Sequence, residues 1–150
     1  MEDSERASDL DLVTALYRTT NTVVRELDQR LTREHDVTFV QAVTLLAIES
    51  FEQPQPHLVA QYLSQQSQTV TGVLDRIERA GLIERLRDMS DRRAVRLVLT
   101  EKGERLVTQL RQSLGTSLHD VLAGVGPGTR QRLGGDLAEV ERSAMHPATQ

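Results

Sequence analysis

The sequence contains no cysteine and no tryptophan, and only 3% of its residues are aromatic. The absence of cysteine excludes disulfides, thiolate metal sites, cysteine nucleophiles and thiol-based sensing of oxidants within this chain. The scarcity of aromatic residues leaves leucine, valine, isoleucine and alanine to fill the core, which favours packed helices. At 150 residues with 38% hydrophobic content, the chain is long enough for one compact domain.

Long hydrophobic runs are also missing from the sequence. No stretch approaches the roughly 18 apolar residues that cross a bilayer. The N-terminal MEDSERASD has neither the basic nor the apolar region of a signal peptide. We therefore expect a cytoplasmic protein without a membrane partner.

Lysine is nearly absent, since all of the 18 basic residues except Lys102 are arginine. The formal net charge of −4 opposes nucleic-acid binding, but the positions of the positive groups matter more than their sum. Five arginines and two aspartates lie between Arg85 and Arg96, which gives this stretch a local charge of +3. It is the one basic stretch of the chain.

Apolar residues recur at helical spacing along most of the chain. This pattern predicts a long first helix over residues 10–31 and a second helix after Thr38, which forms a capping box with Gln41. Thr100 is predicted to start a helix of about five turns. GVGPG at residues 124–128 separates that helix from a final one.

The centre of the chain combines two short helices with a hairpin. The first of these helices is predicted over residues 57–63, and the polar stretch SQQSQ at residues 64–68 separates it from the next. That next helix, the fourth, buries an apolar stripe formed by Val70, Val73, Leu74 and Ile77. Gly81 then occupies the position of a left-handed C-terminal cap. Residues 82–87 and 94–100 are predicted as two strands joined by a charged loop.

This order of elements is that of a winged helix-turn-helix, whose second helix lies in the major groove of double-stranded DNA. The face of the fourth helix opposite its apolar stripe is polar. Ser67, with the free backbone amides of the first turn, and Arg76 are placed to bind phosphates. Base edges would be contacted by four neighbouring side chains, those of Gln66, Gln68, Thr69 and Thr71.

The loop between the strands, DMSDRR at residues 88–93, carries a pair of arginines. Arg92 and Arg93 lie where a wing projects, and an arginine there can enter a narrow minor groove. Asp91 is positioned to orient one guanidinium through a charged hydrogen bond. The alternative is an ordinary surface cluster, in which these arginines pair with Asp88 and Asp91.

The segment LDRIERAGLIERLRDMSDRRAVRLVLTEKG, residues 74–103, resembles the core of the MarR family of bacterial regulators. The segment from Thr38 to Gln41 and the long terminal helices also resemble that family, so the similarity covers nearly the whole chain. The resemblance implies one mainly α domain with a small β-hairpin wing. Within it, residues 37–100 form the DNA-binding lobe, and the dimerisation helices lie at 8–36 and 101–145.

The resemblance also implies a function. A homodimer would place a winged helix in each of two consecutive major grooves and repress transcription from a palindromic operator. Many members of the family release DNA when a small aromatic or phenolic anion enters a cleft between the dimerisation helices and the DNA-binding lobe. By position, the family's DNA-reading stretch falls on residues 66–72 with Arg76, and its wing arginine falls on Arg93. No cofactor is implied.

Gly72 and the pair Met89-Ser90 depart from the family pattern. Many relatives have an arginine directly after the threonine that Thr71 matches, and proline or arginine is common in the wing where Met89 and Ser90 stand. Glycine inside a helix costs about 1 kcal/mol relative to alanine. Gly72 therefore either allows the backbone to approach DNA closely or has no functional role and lowers the stability of the helix by an amount that the protein tolerates.

Other functions have less support in the sequence. The histidines lack metal-ligand spacing, so we predict no metal site. His35 is expected to be an exposed residue between helices, with a place in a small-molecule cleft as the alternative. No phosphate-binding glycine loop or nucleophile motif points to an enzyme. A winged-helix protein interaction module remains the alternative, and salt-insensitive DNA binding would favour it.

Overall fold

The computed structural model describes residues 1–87, 91 and 94–148. These residues form six helices and a two-stranded antiparallel sheet, so the predicted fold class is confirmed: mainly α with one β-hairpin. The chain divides into two compact units, one over residues 1–117 and the other from residue 118 onward. No helix in the described ranges is both long enough and apolar enough to cross a bilayer.

The elements follow the predicted order. The first four helices are α1 (Glu2–His35), α2 (Phe39–Ser50), α3 (Pro56–Tyr62) and α4 (Ser67–Arg79). The hairpin and the last two helices are β1 (Ile83–Arg87), β2 (Val95–Leu99), α5 (Glu101–Val121) and α6 (Pro127–Met145).

Helix α1 begins well before the predicted start at Leu10. Its first turn carries Glu2, Asp3 and Glu5, and negative side chains are favourable at the positive end of the helix dipole. Because this turn is polar, apolar periodicity alone did not detect it. Only the last part of α1 enters the core, through Leu27 and Leu31.

The start of α2 is capped as predicted. The backbone N–H of Gln41 donates to the Thr38 hydroxyl at 3.2 Å, and the Thr38 N–H donates to Gln41 Oε1 at 3.0 Å. The Phe39 N–H donates to Asp28 Oδ1 of α1 at 2.6 Å. Two orphan donors of the first turn thus have local partners, and a third ties α2 to α1.

The break between α3 and α4 is shorter than the five residues predicted. The chain turns at Ser64, which has a positive φ of 51°, and the Gln65 N–H donates to the Ala60 carbonyl at 2.9 Å. Gln66 is extended, and α4 begins directly after it, so Ser67 and Gln68 are helical. Gly81 follows α4 with a φ of 74°, which confirms the predicted left-handed position.

The hairpin pairs Ile83 with Leu99 and Arg87 with Val95. The Leu97 N–H also donates to the carbonyl of Pro54 at 2.8 Å, so the connection between α2 and α3 runs beside β2. Leu97 and Ile83 are buried in the core shared by α2, α4 and the sheet. The hairpin therefore has a fixed position relative to α4.

Helix α5 starts next to the end of α4. The Thr100 hydroxyl accepts from the Gly103 N–H at 3.0 Å, as expected for a helix start, and donates to the Gly81 carbonyl at 2.6 Å. Lys102 Nζ donates to the Ala80 carbonyl at 2.8 Å. Carbonyl groups at and just after the C-terminal end of α4 thus accept hydrogen bonds from residues at the start of α5.

Candidate nucleic-acid interface

Helix α4 has one buried face and one exposed face. Val70, Val73, Leu74 and Ile77 are all buried, as predicted. The candidate DNA-contacting residues are exposed, apart from the half-buried Gly72; they are Gln66, Ser67, Gln68, Thr69, Thr71 and Arg76. The fold therefore brings all the α4 candidates to one accessible side, while the opposite stripe anchors the helix.

The hydroxyl of Thr71 is partly occupied within the helix. It donates to the carbonyl of Ser67 at 2.8 Å, one turn back along α4. Its proton is therefore engaged, and the groups left for a partner are the methyl and the oxygen lone pairs. A threonine in this state is suited to apolar contact with a thymine methyl.

The first turn of α4 has no side-chain cap. Gln66 occupies the N-cap position in an extended conformation, and its side chain makes no capping hydrogen bond. The backbone amides of the first turn then lack the partner that a capping serine or threonine supplies. Amides at a helix start are ready donors to a phosphate oxygen.

Gly72 is not required by packing inside the chain. A Cβ added at this position would meet no atom within 4 Å. We expect Gly72→Ala to raise the free energy of unfolding by about 0.5–1 kcal/mol, because alanine loses less backbone entropy in a helix. Chemical denaturation followed by circular dichroism checks this, and a destabilised variant would contradict it. DNA affinity of the same variant then decides whether the backbone approaches DNA closely.

Acidic residues on α4 are paired with the hairpin. Arg85 of β1 donates through Nη2 to Asp75 Oδ1 at 2.8 Å and through Nη1 to Glu78 Oε2. Short-range sequence patterns do not predict this pairing, because the partners lie on different elements. Arg76, in contrast, is exposed and has no ion-pair partner within the described part of the chain.

The predicted wing arginines, Arg92 and Arg93, lie outside the described residues. Asp91 is described and exposed, and its carbonyl accepts from the Ala94 N–H at 3.0 Å. The roles assigned to these three residues stay predictions.

A cavity of about 410 Å³ lies where α1, α2, α4 and α5 meet. Three basic residues, Arg76, Lys102 and Arg105, line it. Its apolar lining consists of Val37, Ile77, Ala80, Leu82 and Leu106. A cavity with several cations and an apolar wall is suited to a small organic anion.

The expectation that His35 is exposed is wrong. Its side chain is only 12% exposed, and its Nε2 lies 2.6 Å from the Ser113 hydroxyl of α5. His35 also lines the cavity. The sequence placed His35 near the end of α1, but it did not show that α5 covers this position.

Three comparisons with known proteins bear on this fold. The model of the MarR family matches residues 35–94, the part that contains α2 to β1 and the exposed candidate residues of α4. The regulator SarZ of Staphylococcus haemolyticus, an HTH-type transcriptional regulator, is 30% identical over 88 residues. That alignment spans 59% of this chain and 59% of SarZ. The central part of this chain is therefore similar to the MarR family.

Solved structures of DNA-binding proteins share the fold. A mutant of MarR from E. coli complexed with operator DNA superposes with a TM-score of 0.81 at 24% identity, covering 89% of this chain and 95% of that one. Bordetella bronchiseptica BpsR superposes with a TM-score of 0.77 at 23% identity, covering 85% of this chain and 91% of that one. The BpsR structure concerns regulation of its DNA binding by 6-hydroxynicotinic acid. The MarR-type winged helix therefore extends well beyond residues 35–94.

Proposed function

We propose that this chain is a sequence-specific DNA-binding transcription regulator. The observation that carries the proposal is the division of α4 into a buried apolar face and an exposed polar face. The exposed face presents five polar residues to solvent: Gln66, Ser67, Gln68, Thr69 and Thr71. A mutant of MarR from E. coli, which shares the fold, has been solved in complex with operator DNA, and this supports DNA binding by this chain. The proposal places the protein in the cytoplasm with its DNA and assigns it no catalytic activity.

The test is fluorescence-anisotropy binding to DNA from upstream of its own coding region, across a salt series, with scrambled DNA as control. We expect nanomolar, salt-steep binding that prefers the upstream DNA by about 10³-fold or more. Equal, weak and salt-insensitive binding to both DNAs would favour the protein interaction module instead.

Base-reading and phosphate-contacting roles on α4 can be separated by substitution. We expect Gln68→Ala to lose about 1–3 kcal/mol of discrimination at one base pair, with little change in salt dependence. Arg76→Gln should weaken binding to all sequences and lower the slope of log K against log salt by about 1. Titrations against single-base operator variants at several salt concentrations measure both effects. Equal losses on every sequence from both variants would contradict the assignment.

We also propose that the regulator is a homodimer bound to a palindromic operator. Helix α1 exposes the large apolar side chains of Leu10, Leu12, Val13 and Tyr17. Helix α6 exposes those of Leu133, Leu137, Val140 and Met145. Apolar surface of this extent on two helices is typical of an interface. Repression follows if the operator overlaps the promoter, and footprinting without twofold symmetry would contradict the proposal.

The cavity beside α4 is proposed as the site of a small aromatic or phenolic anion that releases DNA. Arg76 and Lys102 supply the positive charge, since Arg105 is paired with Glu101 and Asp36 also lines the cavity. The regulation of BpsR by 6-hydroxynicotinic acid gives a precedent for the ligand class. A ligand shifts the DNA equilibrium only if it binds the DNA-free conformation more tightly. Titration of aromatic carboxylates into the protein–operator complex tests this, and failure of all of them to release DNA would count against it.

A further inference from the structure

Two carboxylates lie on α4 beside the residues proposed to read DNA. Asp75 follows Gly72 by three residues and Thr71 by four, the spacings that make residues neighbours on a helix surface. Glu78 follows Asp75 by three residues and extends the same side of the helix. The two side chains are 45% and 40% exposed. Left unpaired, they would repel the phosphates of a DNA duplex that approaches this side.

Arg85 of β1 binds both of these carboxylates. Its Nη2 donates to Asp75 Oδ1 at 2.8 Å, and its Nη1 donates to Glu78 Oε2. Its side chain is 25% exposed, so this is the least accessible group of the three. Because each terminal nitrogen of Arg85 is engaged by a carboxylate of α4, the guanidinium is directed at the helix.

The pairing changes the charge that α4 presents. Over its own length α4 has two acids, Asp75 and Glu78, and two bases, Arg76 and Arg79, so it carries no net charge by itself. With the positive charge of Arg85 added, these three bases and two acids carry a net charge of +1. A chain with a formal net charge of −4 attracts a polyanion only through a surface region that is locally positive.

We propose that Arg85 is a positioning residue for DNA binding: by pairing with Asp75 and Glu78, it lowers their repulsion of phosphates on the DNA-facing side of α4. This inference rests on the proposed function. It assigns Arg85 no contact with DNA.

The experiment compares three variants with the wild type by anisotropy on operator DNA across a salt series, with circular dichroism melts to follow folding. Arg85→Gln is expected to bind about 10- to 100-fold more weakly at about 50 mM salt, and the deficit should shrink as salt screens the repulsion. The triple variant Asp75→Asn/Glu78→Gln/Arg85→Gln is expected to return to within about threefold of the wild type, since neither carboxylate then remains. The Asp75→Asn/Glu78→Gln variant, which keeps Arg85, should bind at least as tightly as the wild type.

Arg111→Gln is the matched control, because it removes the same charge and breaks another ion pair between two elements, that of Arg111 with Glu49. It is expected to change affinity by less than about threefold. Failure of the triple variant to recover would mean that Arg85 does not act through the two carboxylates, and it would overturn the inference, as would wild-type affinity in Arg85→Gln. Absence of preferential binding by the wild type would instead overturn the proposed function, so the two failures are distinguishable.

Discussion

Substituting alanine for Gly103 is expected to destabilise the unit over residues 1–117 by about 3 kcal/mol. A Cβ at this position would lie 2.0 Å from the carbonyl oxygen of Leu82, far inside van der Waals contact, and 3.4 Å from Leu99 Cδ2. The Leu82 carbonyl also accepts from the Thr100 N–H at 3.0 Å, so moving it aside breaks that bond. The clash is therefore relieved only by a shift of α5 away from the turn that follows α4.

Gly115→Ala is the control for this prediction, because Gly115 lies in the same helix and a Cβ there would meet no atom within 4 Å. Alanine at that position is expected to stabilise the protein by about 1 kcal/mol, since it favours the helix without a clash. Urea unfolding of both variants at equal protein concentration measures the difference. If both variants unfolded at the same urea concentration, the close contact at Gly103 would not be a determinant of stability.

The close approach of Gly103 to Leu82 matters for function because it lies where the candidate DNA-reading helix, α4, meets α5. Carbonyls at the end of α4 and in the following turn accept hydrogen bonds from Thr100 and Lys102 at 2.6–3.0 Å. The cavity proposed to bind an anion is lined partly by the same region, including Ala80, Leu82 and Lys102. A ligand bound there would contact both α4 and the start of α5. It could therefore change the orientation of α4 relative to α5.

Features that depend on short-range patterns could be predicted from the sequence. The stripe from Val70 to Ile77 specified the buried face of α4, and with it the exposed side that carries the candidate residues. The Thr38 capping box and the left-handed Gly81 were also predictable, because each depends on residues at most a few positions apart. Motif order then sufficed to predict the winged helix.

Features that join distant segments could not be predicted in the same way. The partners Asp75 and Arg85 are ten residues apart on different elements, and His35 and Ser113 are 78 residues apart. Periodicity assigns a face to each helix, but it does not say which face of another helix covers it. The burial of His35 and the pairing of the α4 carboxylates are consequences of tertiary packing, which single-segment patterns do not encode.

The double variant Leu133→Glu/Leu137→Glu is expected to convert the protein to a monomer and to weaken operator binding by about 100-fold or more. These two leucines are 46% and 41% exposed, and α6 buries none of its residues within the described chain. Leu133, Leu137 and Val140 recur at spacings of four and three, so they form one apolar stripe along the helix. Four carboxylates in a dimer interface would be desolvated without partners, which opposes association.

Operator binding should weaken when dimerisation is lost. In the dimer, binding of one winged helix to its half-site raises the effective concentration of the second winged helix at the other half-site. Light scattering measures the oligomeric state, and anisotropy on full and half operators measures affinity. Gln131→Glu/Gly135→Glu places the same charges at the same spacing on the opposite side of α6, and it is expected to remain dimeric. Since none of the candidate DNA-contacting residues is altered, the Leu133→Glu/Leu137→Glu monomer should keep the weak half-site affinity of a single winged helix. A variant that stayed dimeric, or a monomer with full operator affinity, would contradict the role proposed for the α6 stripe.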